Sequence, residues 1–226
     1  MEHNNPNGVS LSSLVSETSK VVCVGLNYRS HAEHAGFPIP QAPAIFCKFT
    51  NALAFDGDAV ELPSWEQSYD YEAELVIVIG RTAWGVPEEE AMDCIYGYTC
   101  GNDLSCRDSQ MRSGQWLIGK TMPGFAPVGP VIVPRQFFDA SQPHFVRSYV
   151  NGTLRQDGNI SDLIFDCAKI VSYVSKYVRL EPGDLIFTGT PSGTALEFKD
   201  NLHWLKPGDT VDIEIEGIGT LHNVMK

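Results

Sequence analysis

The sequence predicts an α+β fold dominated by strands, with a mixed or antiparallel β-structure and a few covering helices. Short β-rich runs recur along the chain, mostly bounded by Gly, Pro, Asn or Asp; the Asn-Gly pair at 151–152 is a strong hairpin signal; and only two segments have helical character. In order, the strand-like runs are Val21 to Gly25, Ala44 to Lys48, Tyr71 to Gly80, Tyr96 to Asn102, Val128 to Val133, Val146 to Val150, Asp184 to Gly189 and Thr210 to Glu216. A short helix is expected from about Pro87 to Met92, with Pro and three acids in its first turn. A longer one is expected from Ser161, as N-cap, through Leu163, Ile164, Cys167, Ile170, Val171 and Val174 to Val178. Pro182-Gly183-Asp184 and Pro207-Gly208-Asp209 each place a β-turn before a strand.

Composition narrows the classes. A chain of 226 residues, 43% hydrophobic and 19% charged, suits one large domain or two small ones. Residues 1–20 are polar and lack an apolar h-region, so they are expected to form a flexible segment before a single domain at 21–226, with no secretory or transit signal. The net charge of −12 disfavours nucleic acid as a partner. No apolar run approaches the ~20 residues of a membrane span. The six cysteines form no Cys-x-x-Cys pair and lie mostly in apolar stretches, which fits reduced, mostly buried thiols in a cytoplasmic protein.

The most informative segment is Tyr71-Glu72-Ala73-Glu74-Leu75-Val76-Ile77-Val78-Ile79-Gly80. Alternate strand residues share a face, so Glu72 and Glu74 project together, beside a run that is apolar on both sides. Two carboxylates that close repel unless something positive lies between them, and a hard divalent cation such as Mg²⁺ is the simplest candidate. The segment Thr210 to Gly217 is a control: Asp212, Glu214 and Glu216 have the same spacing but alternate strictly with Val211, Ile213 and Ile215, as on a half-buried strand with a solvated acidic side. A third carboxylate, Asp103, follows the Tyr96 to Cys100 strand where it gives way to a turn or helix. A Glu, Glu, Asp set leaves open positions on an octahedral ion, as a catalytic metal requires.

The chain resembles the fumarylacetoacetate hydrolase family from about Val21 onward. The resemblance rests on Gly25-Leu26-Asn27-Tyr28-Arg29-Ser30-His31-Ala32, Ile45-Phe46-Cys47-Lys48, Glu72-Ala73-Glu74, Asn102-Asp103 with Ser105 to Gln110, Gly119-Lys120 and Thr188-Gly189-Thr190-Pro191, all in the expected order. It implies a mixed β-roll, usually dimeric, of the short type with only the catalytic domain. It further implies Mg²⁺, Mn²⁺ or Ca²⁺ on Glu72, Glu74 and Asp103, and a small substrate with a 2-oxo acid or 1,3-dicarbonyl group. By the same resemblance Arg107 and Lys120 are cationic groups that act with Gln110 to polarise the substrate carbonyl, and Thr190 donates hydrogen bonds to the substrate carboxylate. Lys48 either faces the pocket or extends to solvent.

The region His31-Ala32-Glu33-His34-Ala35-Gly36 departs from the family pattern. Hydrolytic members pair a histidine matching His31 with a glutamate three residues later; here position 34 is His and the acid is Glu33. Three-residue spacing puts two side chains on one face of a helical turn and two-residue spacing does not. Three explanations stand: Glu33 reaches His31 through a non-helical lid, His34 acts as base or orienter, or no activated water is needed. The resemblance implies carbon–carbon hydrolysis of an acylpyruvate through an enolate. Decarboxylation of oxaloacetate, tautomerisation or double-bond isomerisation is the alternative, and an inactive binding module is the reading from another class. Substrate length is expected to be set by the lid and by the loops Ser64 to Tyr69 and Phe198 to Trp204.

Overall fold

Burial of the 73–79 run on both faces decides the architecture. A computed structural model of the chain describes residues 18–34, 38–198 and 203–226. In chain order the elements are β1 (Val21–Gly25), α1 (Arg29–His34), β2 (Ala44–Lys48), β3 (Leu53–Phe55), β4 (Ala59–Val60), β5 (Tyr69–Asp70), β6 (Ala73–Ile79), α2 (Glu88–Ala91), β7 (Ile95–Asn102), β8 (Ser105–Cys106), α3 (Arg107–Gln110), α4 (Leu117–Lys120), β9 (Ala126–Pro134), β10 (Phe145–Val150), β11 (Thr153–Asn159), α5 (Cys167–Ser175), β12 (Leu185–Phe187), β13 (Thr210–Ile215) and β14 (Gly219–Met225). The fold is α+β and strand-dominated, as the sequence predicts.

One mixed sheet has the order β2-β1-β12-β6-β7-β9-β3, with β6 at its centre; a second runs β11-β10-β13-β14-β4, and β5 and β8 form a small pair. Every residue of β6 is buried. Leu75, Ile77 and Ile79 share a core with Val211, Ile213, Ile215 and Leu221 of the second sheet, while Val76 and Val78 join Val21, Cys23, Val128, Leu185 and Phe187 on the opposite face. Glu72 and Glu74 continue the Val76 and Val78 side by strand alternation. In β13 the expected alternation is observed, with Val211, Ile213 and Ile215 buried and Asp212 and Glu214 partly exposed.

Local turn chemistry follows the sequence closely. Asn151 and Gly152 both take positive φ, at 51° and 73°, and close the β10–β11 hairpin. The two Pro-Gly turns use one device twice: the Asp184 carboxylate accepts from the Glu181 amide at 2.7 Å, and Asp209 accepts from the Lys206 amide at 2.8 Å.

The expected helix from Ser161 to Val178 is shorter and interrupted. Asn159 caps a 3-10 turn over Ile160–Asp162, and the α-helix begins only at Cys167, with Asp166 as N-cap. Between them the backbone is claimed by Asn27. Its side chain accepts from the Phe165 amide at 2.8 Å and donates to the carbonyls of Phe165 and Thr188, and its own carbonyl accepts from the Ile164 amide. Amides held by a residue so distant in sequence cannot join a helical ladder. The strand expected from Tyr71 begins instead at Ala73, because Tyr69 and Asp70 pair with β8.

Asn27 is fully buried and satisfies three backbone groups at once. Replacement by Ala leaves buried donors and acceptors unpaired, at about 1–3 kcal/mol each when no water reaches them. Asn27→Ala is therefore expected to lower unfolding stability by about 3 kcal/mol, read as a lower urea midpoint at unchanged slope.

Candidate active site

The carboxylates meet because β6 and β7 are paired at their ends. Ala73 lies opposite Asn102 and Glu74 opposite Gly101. The Glu72 amide donates to the Asn102 side chain at 3.0 Å, and the Asp103 amide to the Glu72 carbonyl at 2.9 Å. Glu72, Glu74 and Asp103 are all buried, and each presents a ligand atom within 4.8 Å of the others'.

Two cations converge on this set. Lys120, at the end of α4, donates to Glu72 at 2.6 Å and Asp103 at 2.9 Å. Arg107, which opens α3, contacts Glu72 through Nη2, Asp70 through Nε at 2.8 Å, and the Gln110 carbonyl oxygen through Nη1 at 2.8 Å. Burial works against both cations, but the acids outweigh it: Glu72 with Asp70 raises the pKa of Arg107, and Asp103 with Glu72 raises that of Lys120. Burial likewise works against an ionised Glu72, yet Arg107 and Lys120 hold its carboxyl well below the usual range. The glycine before Lys120 permits this closeness: a Cβ on Gly119 would lie 2.4 Å from the Gln110 nitrogen and 2.6 Å from the Cys106 oxygen.

Glu74 is in the opposite situation. It accepts a 2.7 Å hydrogen bond from the Gly189 amide, and among the described residues no Lys or Arg pairs with it. Burial, then the charges of Asp103 and Glu72, push its pKa well up. Lys48 is buried rather than extended to solvent. Its Nζ donates to the carbonyls of Leu104 (2.9 Å), Lys120 (2.5 Å) and Phe125 (2.6 Å), and lies 2.7 Å from Asp103 Oδ1. Burial lowers the pKa of Lys48, and the ion pair with Asp103 opposes that shift. A buried carboxylate with no Lys or Arg partner among the described residues, with ligand atoms of Glu72 and Asp103 within 4.8 Å, fits a hard divalent ion.

Glu72, Glu74, Asp103, Arg107, Gln110, Lys120 and Thr190 line one cavity of about 480 Å³. The Thr190 hydroxyl donates to the Ala73 carbonyl at 2.9 Å and accepts from Gln156 at 2.8 Å, so in this arrangement its proton is engaged by the backbone. His31, Glu33 and His34 belong to α1, but their side chains lie outside the described residues, as does Gly36. The Ser64 to Tyr69 loop, expected to shape the substrate end, lines a separate depression with Trp204 to Pro207. Asp70 and Trp116 are site residues that motif spacing does not reveal, and Phe46, inside the Ile45 to Lys48 motif, lines the cavity as well. Asp70 accepts from the amides of Ala195 and Leu196 while holding Arg107, tying the wall of the cavity to its charged floor.

The profile described as the fumarylacetoacetate (FAA) hydrolase C-terminal region matches residues 20–226. The chain belongs to the fumarylacetoacetate hydrolase family. It is 42% identical over 221 residues to a fumarylacetoacetate hydrolase domain-containing protein 2 homolog of Dictyostelium discoideum, covering 93% of this chain and 72% of that one. It is 38% identical to a mitochondrial oxaloacetate tautomerase of Xenopus laevis, covering 95% and 68%. Among solved structures, a 5-carboxymethyl-2-hydroxymuconate delta-isomerase from Mycobacterium smegmatis superposes with TM-score 0.82 at 41% identity, covering 92% and 78%. A fumarylpyruvate hydrolase from Pseudomonas aeruginosa, in complex with Mn²⁺ and pyruvate, superposes with TM-score 0.83 at 35% identity, covering 92% and 89%. Family members are thus hydrolases, isomerases and tautomerases, and this chain is an enzyme of that family. No helix among the described residues is long and apolar enough to cross a membrane.

Replacing Glu74 by its amide should relieve like-charge repulsion with Asp103 and Glu72 while deleting a candidate metal ligand. Glu74→Gln is expected to raise the Tm of metal-free protein by about 2–4 °C, the shift that about 1 kcal/mol produces in a chain of this size. Isothermal titration with Mn²⁺ should show binding weakened by more than about tenfold.

Proposed function

We propose that this protein enolises a small 2-oxo acid, interconverting keto and enol forms of an oxaloacetate-like substrate, with a divalent cation, Mg²⁺ or Mn²⁺, held by Glu72, Glu74 and Asp103. The observation that carries this reading is the convergence of Arg107 and Lys120, both fixed as cations, with a three-carboxylate donor set on the floor of one cavity. When bound, such an ion supplies Lewis-acid stabilisation of the substrate oxygens.

The chain's own residues then divide the work by protonation state. A 2-oxo acid gains negative charge on its carbonyl oxygen as the neighbouring carbon loses a proton, and stabilisation counts where it is stronger in that transition state. Arg107 and Lys120, whose raised pKa values keep them charged, serve as preorganised positive charge rather than as proton carriers. Gln110 orients Arg107, and Lys48 fixes the backbone of Leu104, Lys120 and Phe125 so that Lys120 and Asp103 keep their places. The family resemblance gives the proton to His31, Glu33 or His34, whose side chains lie outside the described residues.

The relatives named as oxaloacetate tautomerases support enolisation over hydrolysis as the principal reading. A second reading, acylpyruvate hydrolysis, is favoured by similarity to the fumarylpyruvate hydrolase and requires a base that activates water.

With Mg²⁺ present, the protein is expected to accelerate decay of the oxaloacetate enol absorbance, and Lys120→Met to lower kcat by about 10²–10³, the usual loss on removing one electrostatic stabiliser. Parallel assays with an acylpyruvate separate the readings. Release of pyruvate without any effect on the oxaloacetate enol would replace enolisation by hydrolysis.

A further inference from the structure

The Thr190 hydroxyl on the cavity wall is so placed that it can receive a hydrogen bond from a ligand but has none to give. Its bonding is fixed by groups whose roles are not interchangeable. Gln156, fully buried on β11, has its Oε1 2.9 Å from the Ala73 nitrogen and its Nε2 2.8 Å from both the Pro191 carbonyl oxygen and Thr190 Oγ1. A backbone amide can only donate and a carbonyl can only accept, so the Gln156 side chain has a single orientation, with one Nε2 proton spent on Pro191 and the other on Thr190. The Thr190 oxygen therefore accepts from Gln156, and its own proton goes to the Ala73 carbonyl, 2.9 Å away. Turning that proton toward the cavity would take this donor from a buried carbonyl. A hydroxyl has one proton and two lone pairs, so what remains for a ligand is a single lone pair.

The frame around this oxygen is stiff. Residues 190–193 lie directly on β11: a Cβ on Gly158 would run into the Pro191 ring, and one on Gly193 into the Arg155 carbonyl. On the other side the Thr188 hydroxyl donates to the Leu75 carbonyl at 2.8 Å and the Gly189 amide to Glu74 at 2.7 Å, which pins the same loop to β6 and its continuation. Pro191 adds a locked φ. Thr190 is almost fully buried and lines the cavity beside Glu74.

The polarity of this contact has a chemical consequence. A carboxylate or ketone oxygen set against Thr190 would bring lone pair to lone pair, whereas a hydroxyl would complete the bonding of the threonine oxygen. That is the reverse of the direction the family resemblance implies for this residue. Of the two forms of a 2-oxo acid that the reaction proposed above interconverts, only the enol carries a hydroxyl on the reacting carbons.

We propose that Thr190, its hydroxyl oriented by Gln156 and Ala73, is a specificity-determining acceptor that favours the enol over the keto form of the bound acid. This deepens the enolisation reading and rests on it. Malate and 2-fluorosuccinate test it, being four-carbon dicarboxylates that present either a hydroxyl proton or a fluorine at the same carbon. In titration calorimetry with Mg²⁺ in the buffer, malate should bind the wild-type protein at least about tenfold more tightly than 2-fluorosuccinate. Thr190→Ser, which keeps the hydroxyl, should preserve that ratio; Thr190→Val, which keeps the shape, should reduce it to less than about threefold. A merely structural Thr190 would weaken both ligands alike. A ratio near one in the wild type, or a ratio unchanged in Thr190→Val, would overturn the acceptor assignment. Decay of the oxaloacetate enol absorbance in the same preparations keeps the two readings apart: turnover with an overturned ratio removes the acceptor alone, and absence of turnover with no binding of either ligand removes the enolisation reading with it.

Discussion

The buried charge network at the ends of β6 and β7 is the constraint to which the surrounding structure answers. Four carboxylates taken out of water at neighbouring positions would be untenable alone, and each is handled differently. Glu72 is paired twice, by Arg107 and Lys120. Asp70 takes Arg107 and two backbone amides. Asp103 is flanked by Lys120 and Lys48. Glu74 has one amide donor and, among the described residues, no Lys or Arg partner. That imbalance is what separates a site from a buried ion-pair cluster, since a network meant only for stability would leave no carboxylate without a countercharge.

Division between the sheet's two faces lets one strand serve both stability and chemistry. Residues 75, 77 and 79 close the core against the second sheet, so the alternating positions 72 and 74 are free to carry charge at the end of the other face. The positions of the cations are backbone matters: Lys48 ties three carbonyls together, and Gly119 lets α4 lie directly against the start of α3. The same backbone ties explain why the loop after β12 belongs to the site, because Gly189 donates to Glu74 and Asp70 holds residues 195 and 196.

What could be read from the sequence was whatever local spacing dictates. Glu72 and Glu74 stood out because acids at i and i+2 beside a two-sided apolar run have no solvent to face, and the 212–216 segment, with the same acids on an alternating strand, was rightly separated from them. Asn151-Gly152 and the Pro-Gly turns are equally local and equally clear. The interrupted helix was not legible, because the competitor for its amides, Asn27, is 138 residues away. Asp70 was missed for a related reason: a single Asp among tyrosines carries no spacing signal, and its importance comes from amides at 195 and 196. The inward direction of Lys48 depended on which face of an edge strand meets α4, a tertiary fact.

The strand order has a consequence for how the chain reaches this state. β12, from residues 185–187, is inserted between β1 and β6, pairing in parallel with one and antiparallel with the other. Until that late segment arrives, the Leu-Val-Ile-Val-Ile run of β6 has one naked hydrogen-bonding edge, the kind of template on which chains associate with one another. Contacts this distant in sequence also slow the search for the native topology. A nascent chain ending before residue 185 therefore carries this apolar segment with one edge uncovered, and the strand next to Glu72 and Glu74 is at once the centre of the finished sheet and an open edge during its assembly.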